Sequence, residues 1–137
     1  MLTSVIIPAI NEAESLGAVL TTIPGEAVDE ILVVDGGSTD GTGQIATAFG
    51  ARLISEPRRG YGRACATGAL AAQGDILVFL DADGADDPTR LPSLVRLLLE
   101  DRADLALGSR LASGLQPGAM PWHQAFGNWL AARLIRT

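Results

Sequence analysis

Short aliphatic runs alternate with stretches of helical period along the chain. Val5-Ile6-Ile7 reads as a first strand. Asn11 stands as the N-cap of the next helix, with Glu12 and Glu14 in its first turn, where negative charge suits the positive helix end. Leu16, Val19, Leu20 and Ile23 form its apolar face, and Pro24-Gly25 ends it. Ile31-Leu32-Val33-Val34 is a second strand, followed by a loop of turn-forming residues from Asp35 to Gly41. A short helix runs to Phe49, with Gly50 as its stop. Arg52 to Ile54 is a third strand. Gly60-Tyr61-Gly62 opens a helix of small residues that runs through Gln73 and is closed by Gly74. Ile76 to Leu80 is a fourth strand, and its unbroken apolar character predicts burial on both faces. Asp87-Pro88 is an N-cap with proline at the first helical position. Leu91, Leu94, Val95, Leu98 and Leu99 then fall at i, i+3, i+4, i+7 and i+8. Leu105-Ala106-Leu107 reads as a fifth strand. A loop from Leu111 to Pro121 leads into a last helical stretch.

This alternation predicts an α/β fold, a mainly parallel sheet with helices on both faces, in one domain over residues 1–137. The length suits a single core, and 47% hydrophobic residues suit a folded chain. There is no internal repeat, low-complexity segment or linker. A formal charge of −6 argues against nucleic acid as a partner, because phosphate backbones attract basic surfaces. The 10 basic residues are all arginine; lysine is absent. Cys65 is the single cysteine, which excludes an intrachain disulfide and reads as a small buried apolar residue. His123 is the single histidine, so a multi-histidine metal site within one chain is excluded. The start lacks the pattern of a signal peptide, and no apolar run approaches the ~20 residues that span a bilayer. These features predict a cytoplasmic protein, with association at the inner membrane surface left open.

In open parallel sheets ligands bind beyond the carboxyl ends of the strands. The residues just past the strands are Pro8, Ala9, Asn11 and Glu12; Asp35; Pro57-Arg58-Arg59-Gly60; Asp81 and Asp83; and Ser109 and Arg110. Such a polar set is poorly explained by packing. Asp81-Ala82-Asp83 presents two carboxylates, one residue apart, straight after a buried strand. They suit one hard cation, Mg2+ or Mn2+, which takes oxygen ligands and keeps positions for diphosphate oxygens. Asp86 and Asp87 read as capping or solvated turn residues, and Asp40 as a helix cap. Asp35 reads either as an acceptor for a base N–H or ribose hydroxyl, or as the start of an Asx turn. Arg58, Arg59 and Arg63 flank a glycine-rich turn, where backbone and guanidinium can approach a phosphate. Gly60-Tyr61-Gly62 is too short a match, after the wrong strand, for a dinucleotide fingerprint.

Val5-Ile6-Ile7-Pro8-Ala9-Ile10-Asn11-Glu12 resembles the opening of family 2 glycosyltransferases of the GT-A fold. Val34-Asp35-Gly36-Gly37-Ser38-Thr39-Asp40-Gly41-Thr42 is similar to their second motif, Asp81-Ala82-Asp83 to their acidic metal motif, and Gly108-Ser109-Arg110 to the segment after their fifth strand. Bacterial relatives of dolichyl-phosphate mannose or glucose synthases look most similar. The resemblance implies inverting sugar transfer from a nucleotide diphosphate donor such as a UDP- or GDP-sugar. It implies that Pro8, Ala9, Glu12 and Asp35 hold the nucleoside. It implies that Asp81 and Asp83 hold the metal-diphosphate, with Ala82 between them, and that Arg110 helps bind a phosphate; Arg58 and Gly60 are phosphate candidates from the glycine-rich turn itself. A polyprenyl phosphate at a membrane surface is the implied acceptor class. Ala85 departs from the polar residue such synthases commonly carry there. The family extends beyond Thr137, so the expected domain is its nucleotide-binding part without the acceptor side, and no general base is named. An ionised phosphate acceptor would need none, whereas a sugar hydroxyl would. In the last helical stretch Trp122, Phe126, Trp129, Leu130 and Leu134 share a face, a stripe for core packing, for a homodimer contact or for a membrane surface. His123 reads as structural or acceptor-facing.

Two rivals stand beside this reading. Phe79-Leu80-Asp81-Ala82-Asp83-Gly84 also resembles the first motif of haloacid-dehalogenase-type phosphatases. That family uses a downstream lysine and carries the motif after its first strand, and neither holds here. The other rival is a non-catalytic module that binds nucleotide-sugar without transferring it.

Overall fold

A computed structural model describes residues 1–108. Four strands form one sheet: β1 (Thr3–Ala9), β2 (Glu30–Asp35), β3 (Arg52–Ser55) and β4 (Ile76–Phe79). Their order is β3-β2-β1-β4, and every pairing is parallel. The helices are α1 (Ala13–Thr22), α2 (Thr42–Ala48), α3 (Tyr61–Ala71) and α4 (Leu91–Leu99). The residues Met1–Ala106 make one compact unit; a second, Leu107–Thr137, lies almost wholly outside the described residues. The expectations for Ser109, Arg110 and the aromatic stripe fall there. Among the described residues no helix is long and apolar enough to cross a membrane.

Alternation along β1 divides the core between the two sheet faces. Val5, Ile7 and Ala9 join Val33 beneath Leu16, Val19 and Leu20 of α1, Ala46 of α2, and Leu91 and Val95 of α4. Ile6, Leu32 and Val34 face Ala64 of α3 on the other side. Fully burying each Val, Leu or Ile contributes about 1.5–3 kcal/mol. The predicted α/β architecture, with helices on both faces, is the one observed. The small residues of α3 have a reason: a Cβ at Gly68 would collide with Ile6 Cγ2 and stand 3.0 Å from Val34 Cγ2.

Register brings the carboxyl ends of β1, β2 and β3 level. Ala9 lies opposite Asp35, and Asp35 opposite Ser55. Phe79 lies opposite Ile6, and Leu80 N–H donates to the Ile6 carbonyl at 3.1 Å. The residues that follow each strand therefore leave the sheet along one rim.

Several sequence-based expectations are corrected. β4 is an outer strand of the described sheet, not one buried on both faces: Phe79 is 48% exposed and Leu77 is also exposed. Its apolar run could not reveal that α3 packs on β1 and β2. Residues 105–107 form no strand, and Leu105 is 74% exposed. An apolar triplet becomes a strand only when a neighbour completes its ladder of hydrogen bonds. Helix α3 ends at Ala71, not Gln73. There Gln73 N–H and Gly74 N–H donate instead to Glu30 and Ser4, tying the helix exit to the sheet. Asp87 does cap the turn entering α4, accepting from Thr89 N–H at 3.1 Å, with Pro88 next.

Candidate functional site

The loops after β1 and β2 are cross-braced. Asn11 is not the cap of α1; Glu12 holds that position without a side-chain bond. Asn11 instead takes a left-handed conformation, φ 52°, which its short polar side chain tolerates. Its N–H donates to Ser38 Oγ at 2.8 Å, and its Oδ1 accepts from Thr39 N–H at 2.9 Å. The start of α1 is served from across the rim: Ala13 N–H donates to Asp40 Oδ2 at 3.0 Å and Glu12 N–H to Thr42 Oγ1 at 3.0 Å. Asp40 Oδ1 also accepts from the Thr42 hydroxyl and N–H. These bonds, the Thr42 hydroxyl foremost, hold the Asp40 carboxyl below its ordinary range. Asp40 is therefore not at the cap position, which Gly41 takes for α2, but its carboxylate accepts from the first N–H of both α1 and α2. Asp35 Oδ1 accepts from Ser38 N–H at 3.0 Å and from its hydroxyl at 2.5 Å, so Asp35 starts the turn after β2, with its bond to the third residue on and not the second, as an Asx turn would have it. Both bonds fall on the Oδ1 oxygen.

A cavity of about 510 Å³ opens at this rim. Pro8, Ala9 and Glu12 line it from β1 and the following loop, Arg58, Arg59 and Gly60 from the loop after β3, and Asp81, Ala82 and Asp83 from the loop after β4. Asp35 lines a neighbouring, shallower depression of about 640 Å³, although Val34 and Gly36 on either side of it line this cavity. Arg110 lies outside the described residues.

The turn carrying Asp81 and Asp83 is built around Ala82, which is 3% exposed. The Ala82 carbonyl accepts from Ser15 Oγ of α1 at 2.7 Å. Asp81 N–H donates to Asp86 Oδ2 at 3.1 Å, so Asp86 closes this turn and is not a cap. Asp83 Oδ1 accepts from Ala85 N–H at 2.9 Å, and Gly84 turns the chain at φ 80°. Tyr61, the first residue of α3, donates its hydroxyl to Asp81 Oδ1 at 2.8 Å. Partial desolvation of the hydroxyl, then the Asp81 carboxylate, push the Tyr61 phenol above its ordinary value. Burial likewise raises the Cys65 thiol, which fits an inert cysteine.

Glu56, which the sequence reading passed over, is 4% exposed and also lines the cavity. Arg58 grips it in a fork, Nε to Oε1 at 2.8 Å and Nη2 to Oε2 at 2.7 Å, and Thr67 Oγ1 adds 2.8 Å. Hydrogen bonds from Arg58 and then Thr67 draw the Glu56 carboxyl down to about 2. Arg58 therefore stands at the cavity with its orientation set by a carboxylate. The sequence signal was a carboxylate two places before an arginine at a strand exit, but the Thr67 contact comes from α3.

Asp81 and Asp83 bring two carboxylates to one turn at the cavity. Among the described residues there is no group of three or more His, Cys, Asp or Glu side chains able to hold a metal. A cation at Asp81 and Asp83 would need its remaining oxygens from ligand and water. That is how Mg2+-type sites with phosphate substrates are commonly built, so the donor set fits.

A parallel sheet with an oxygen-rich ligand cavity at its carboxyl rim defines the class: a ligand-binding α/β domain of GT-A type. The chain belongs to glycosyl transferase family 2, whose family model matches residues 4–136. It is 43% identical over 135 residues to an uncharacterized glycosyltransferase of Mycobacterium tuberculosis, covering 98% of this chain and 59% of that protein. It is 33% identical over 138 residues to a low-salt glycan biosynthesis hexosyltransferase of Haloferax volcanii, covering 96% of this chain and 33% of that one. Among solved structures, glucosyl-3-phosphoglycerate synthase of Mycobacterium tuberculosis, in complex with Mn2+, UDP and glucosyl-3-phosphoglycerate, superposes with a TM-score of 0.63. That match has 36% identity and covers 72% of this chain and 39% of the synthase. The chain thus spans about 59% of the length of its mycobacterial relative.

Proposed function

We propose that this chain forms the donor-binding part of a metal-dependent, inverting glycosyltransferase that uses a nucleoside diphosphate sugar. The convergence of Asp81 and Asp83 with Glu12, Arg58 and Gly60 on one cavity carries the reading. Family membership supports transfer chemistry, and the complexes of the mycobacterial synthase make UDP the first donor to test. The nucleoside lies along Pro8, Ala9, Glu12 and Asp35, and the diphosphate lies by Arg58, Gly60 and the acidic turn. Arg110 serves a phosphate of donor or acceptor. Asp81 and Asp83 hold Mg2+ or Mn2+, which supplies a counter-charge for the leaving diphosphate.

In the transfer an acceptor oxygen bonds to the anomeric carbon as the bond from that carbon to the diphosphate oxygen breaks. The electron pair leaves with the nucleoside diphosphate, and attack opposite it inverts the centre. Arg58, already aligned by Glu56, presents positive charge beside the site without needing to be reoriented first. The acceptor class is a phosphate-bearing molecule such as a polyprenyl phosphate at a membrane surface. A phosphate whose second pKa is ~6 arrives largely ionised, which removes the need for a protein base.

Calorimetric titration with UDP, GDP and dTDP, each in Mn2+, Mg2+ or a chelator, tests the binding step. UDP binding that depends on metal is expected. Asp83→Ala should abolish the metal-dependent part while the circular dichroism of the domain stays native. An unchanged affinity in that variant refutes the metal assignment, and no binding of any nucleoside diphosphate refutes the whole reading. Binding without transfer in any acceptor assay would assign a donor-binding module instead.

A further inference from the structure

Tyr61 is not explained by packing. Its side chain is an aromatic at the first position of α3, yet the residue is 60% exposed. A large ring left this exposed is oriented by its polar end, and that end donates to Asp81 Oδ1 at 2.8 Å. The two residues are 20 apart in sequence and leave different strands of the sheet. Tyr61 follows Arg58-Arg59-Gly60 directly, and Gly60 reaches φ 126°, a backbone turn that sends α3 off with Tyr61 beside the acidic turn. A phenol, with an ordinary pKa of about 10, is protonated at neutral pH and so is a donor there.

We propose that Tyr61 is a positioning residue for Asp81: its phenol sets the orientation in which that carboxylate receives the cation, and it joins the Arg58-Arg59-Gly60 turn to the acidic turn. The inference rests on the metal-dependent donor reading above. Groups that orient the ligands of a metal affect its affinity without touching it, commonly by about 10–100-fold. The contact also makes the two halves of the diphosphate site interdependent, because displacement of α3 would release Asp81.

Tyr61→Phe keeps the ring and removes only the hydroxyl. In calorimetry on the full chain, Mn2+-dependent UDP affinity should fall by about 10-fold or more, whereas UDP affinity in chelator should be unchanged. A second measurement needs no variant. Tyr61 is the only tyrosine of the chain, so tyrosine labelled with carbon-13 at Cζ gives one resonance. That resonance should move when Mg2+ and UDP are added together and stay in place with UDP in chelator. Equal affinity loss with and without metal, unchanged affinity in both, or a resonance indifferent to metal would each overturn the proposal. If the wild type itself binds UDP without metal dependence, the metal reading fails and takes this inference with it. If the wild type is metal-dependent and only Tyr61→Phe is silent, this inference alone fails.

Discussion

Glu56 shows how one side chain can serve both folding and the site. It is a buried carboxylate satisfied by Arg58 and Thr67, and it fixes the guanidinium that faces the cavity. Its folded pKa is depressed from 4.5 to about 2. Linkage then gives the sign: the unfolded chain binds the proton more readily, so the stabilisation is fully present above about pH 4.5 and is lost as pH falls towards about 2. Glu56→Gln removes that titration. In urea unfolding, the wild type should lose stability between pH 5 and pH 3 by more than the variant does, about these two pH values being sufficient. Parallel curves for the two proteins would show that the pair contributes no linkage. The same residue marks a limit of sequence reading. Arg58 was legible as a phosphate-side candidate, because arginine beside glycine at a strand exit has a mechanism. Its partner was not, because burial of Glu56 depends on α3 passing over the strand exit and bringing Thr67 with it.

Among the elements, α3 is the one most constrained by shape. Gly68 lets its backbone lie against Ile6 and Val34, and no side chain fits between them. Gly68→Ala should destabilise the domain by about 1–3 kcal/mol through overpacking, despite the higher helix propensity of alanine. Gly62 in the same helix has open space around its would-be Cβ, so Gly62→Ala should be neutral or slightly stabilising. Urea midpoints at equal m-value check both, and similar values for the two variants would contradict the packing account. The four strands and four helices were readable because period and punctuation agree in them: aliphatic runs bounded by glycine, proline and aspartate. Errors arose where an outcome depends on a neighbour. Leu105-Ala106-Leu107 has strand composition but no ladder among the described residues. Asn11 has cap chemistry, yet it spends that chemistry on Ser38 and Thr39, and Asp40 attends to the helix instead. The candidate carboxylates were legible as a pair; the web of Ser15, Tyr61 and Asp86 around them was not, since each partner comes from a separate turn or helix.

At the scale of the molecule, the site is a property of the assembled sheet. Its lining comes from the ends of β1 and β2, the loops after β1, β2, β3 and β4, and the start of α3, which the parallel order of the strands brings to one rim. The unfolded chain cannot reproduce this arrangement, so a ligand of the cavity binds the native state and raises its stability by RT ln(1 + [L]/Kd). At 100 times Kd that is about 2.7 kcal/mol, enough to raise the melting temperature by several degrees in a chain of this size. UDP with Mn2+ should therefore raise Tm, and UDP in chelator should raise it less. The gap between the two should close in Asp83→Ala, because that variant lacks one of the two carboxylates proposed to hold the cation. Mn2+ alone must be run beside them, since an acidic protein of net charge −6 attracts divalent cations without a specific site. Only a rise that needs metal and diphosphate together, and that Asp83→Ala removes, belongs to the cavity; an equal rise with Mn2+ alone would belong to the overall charge.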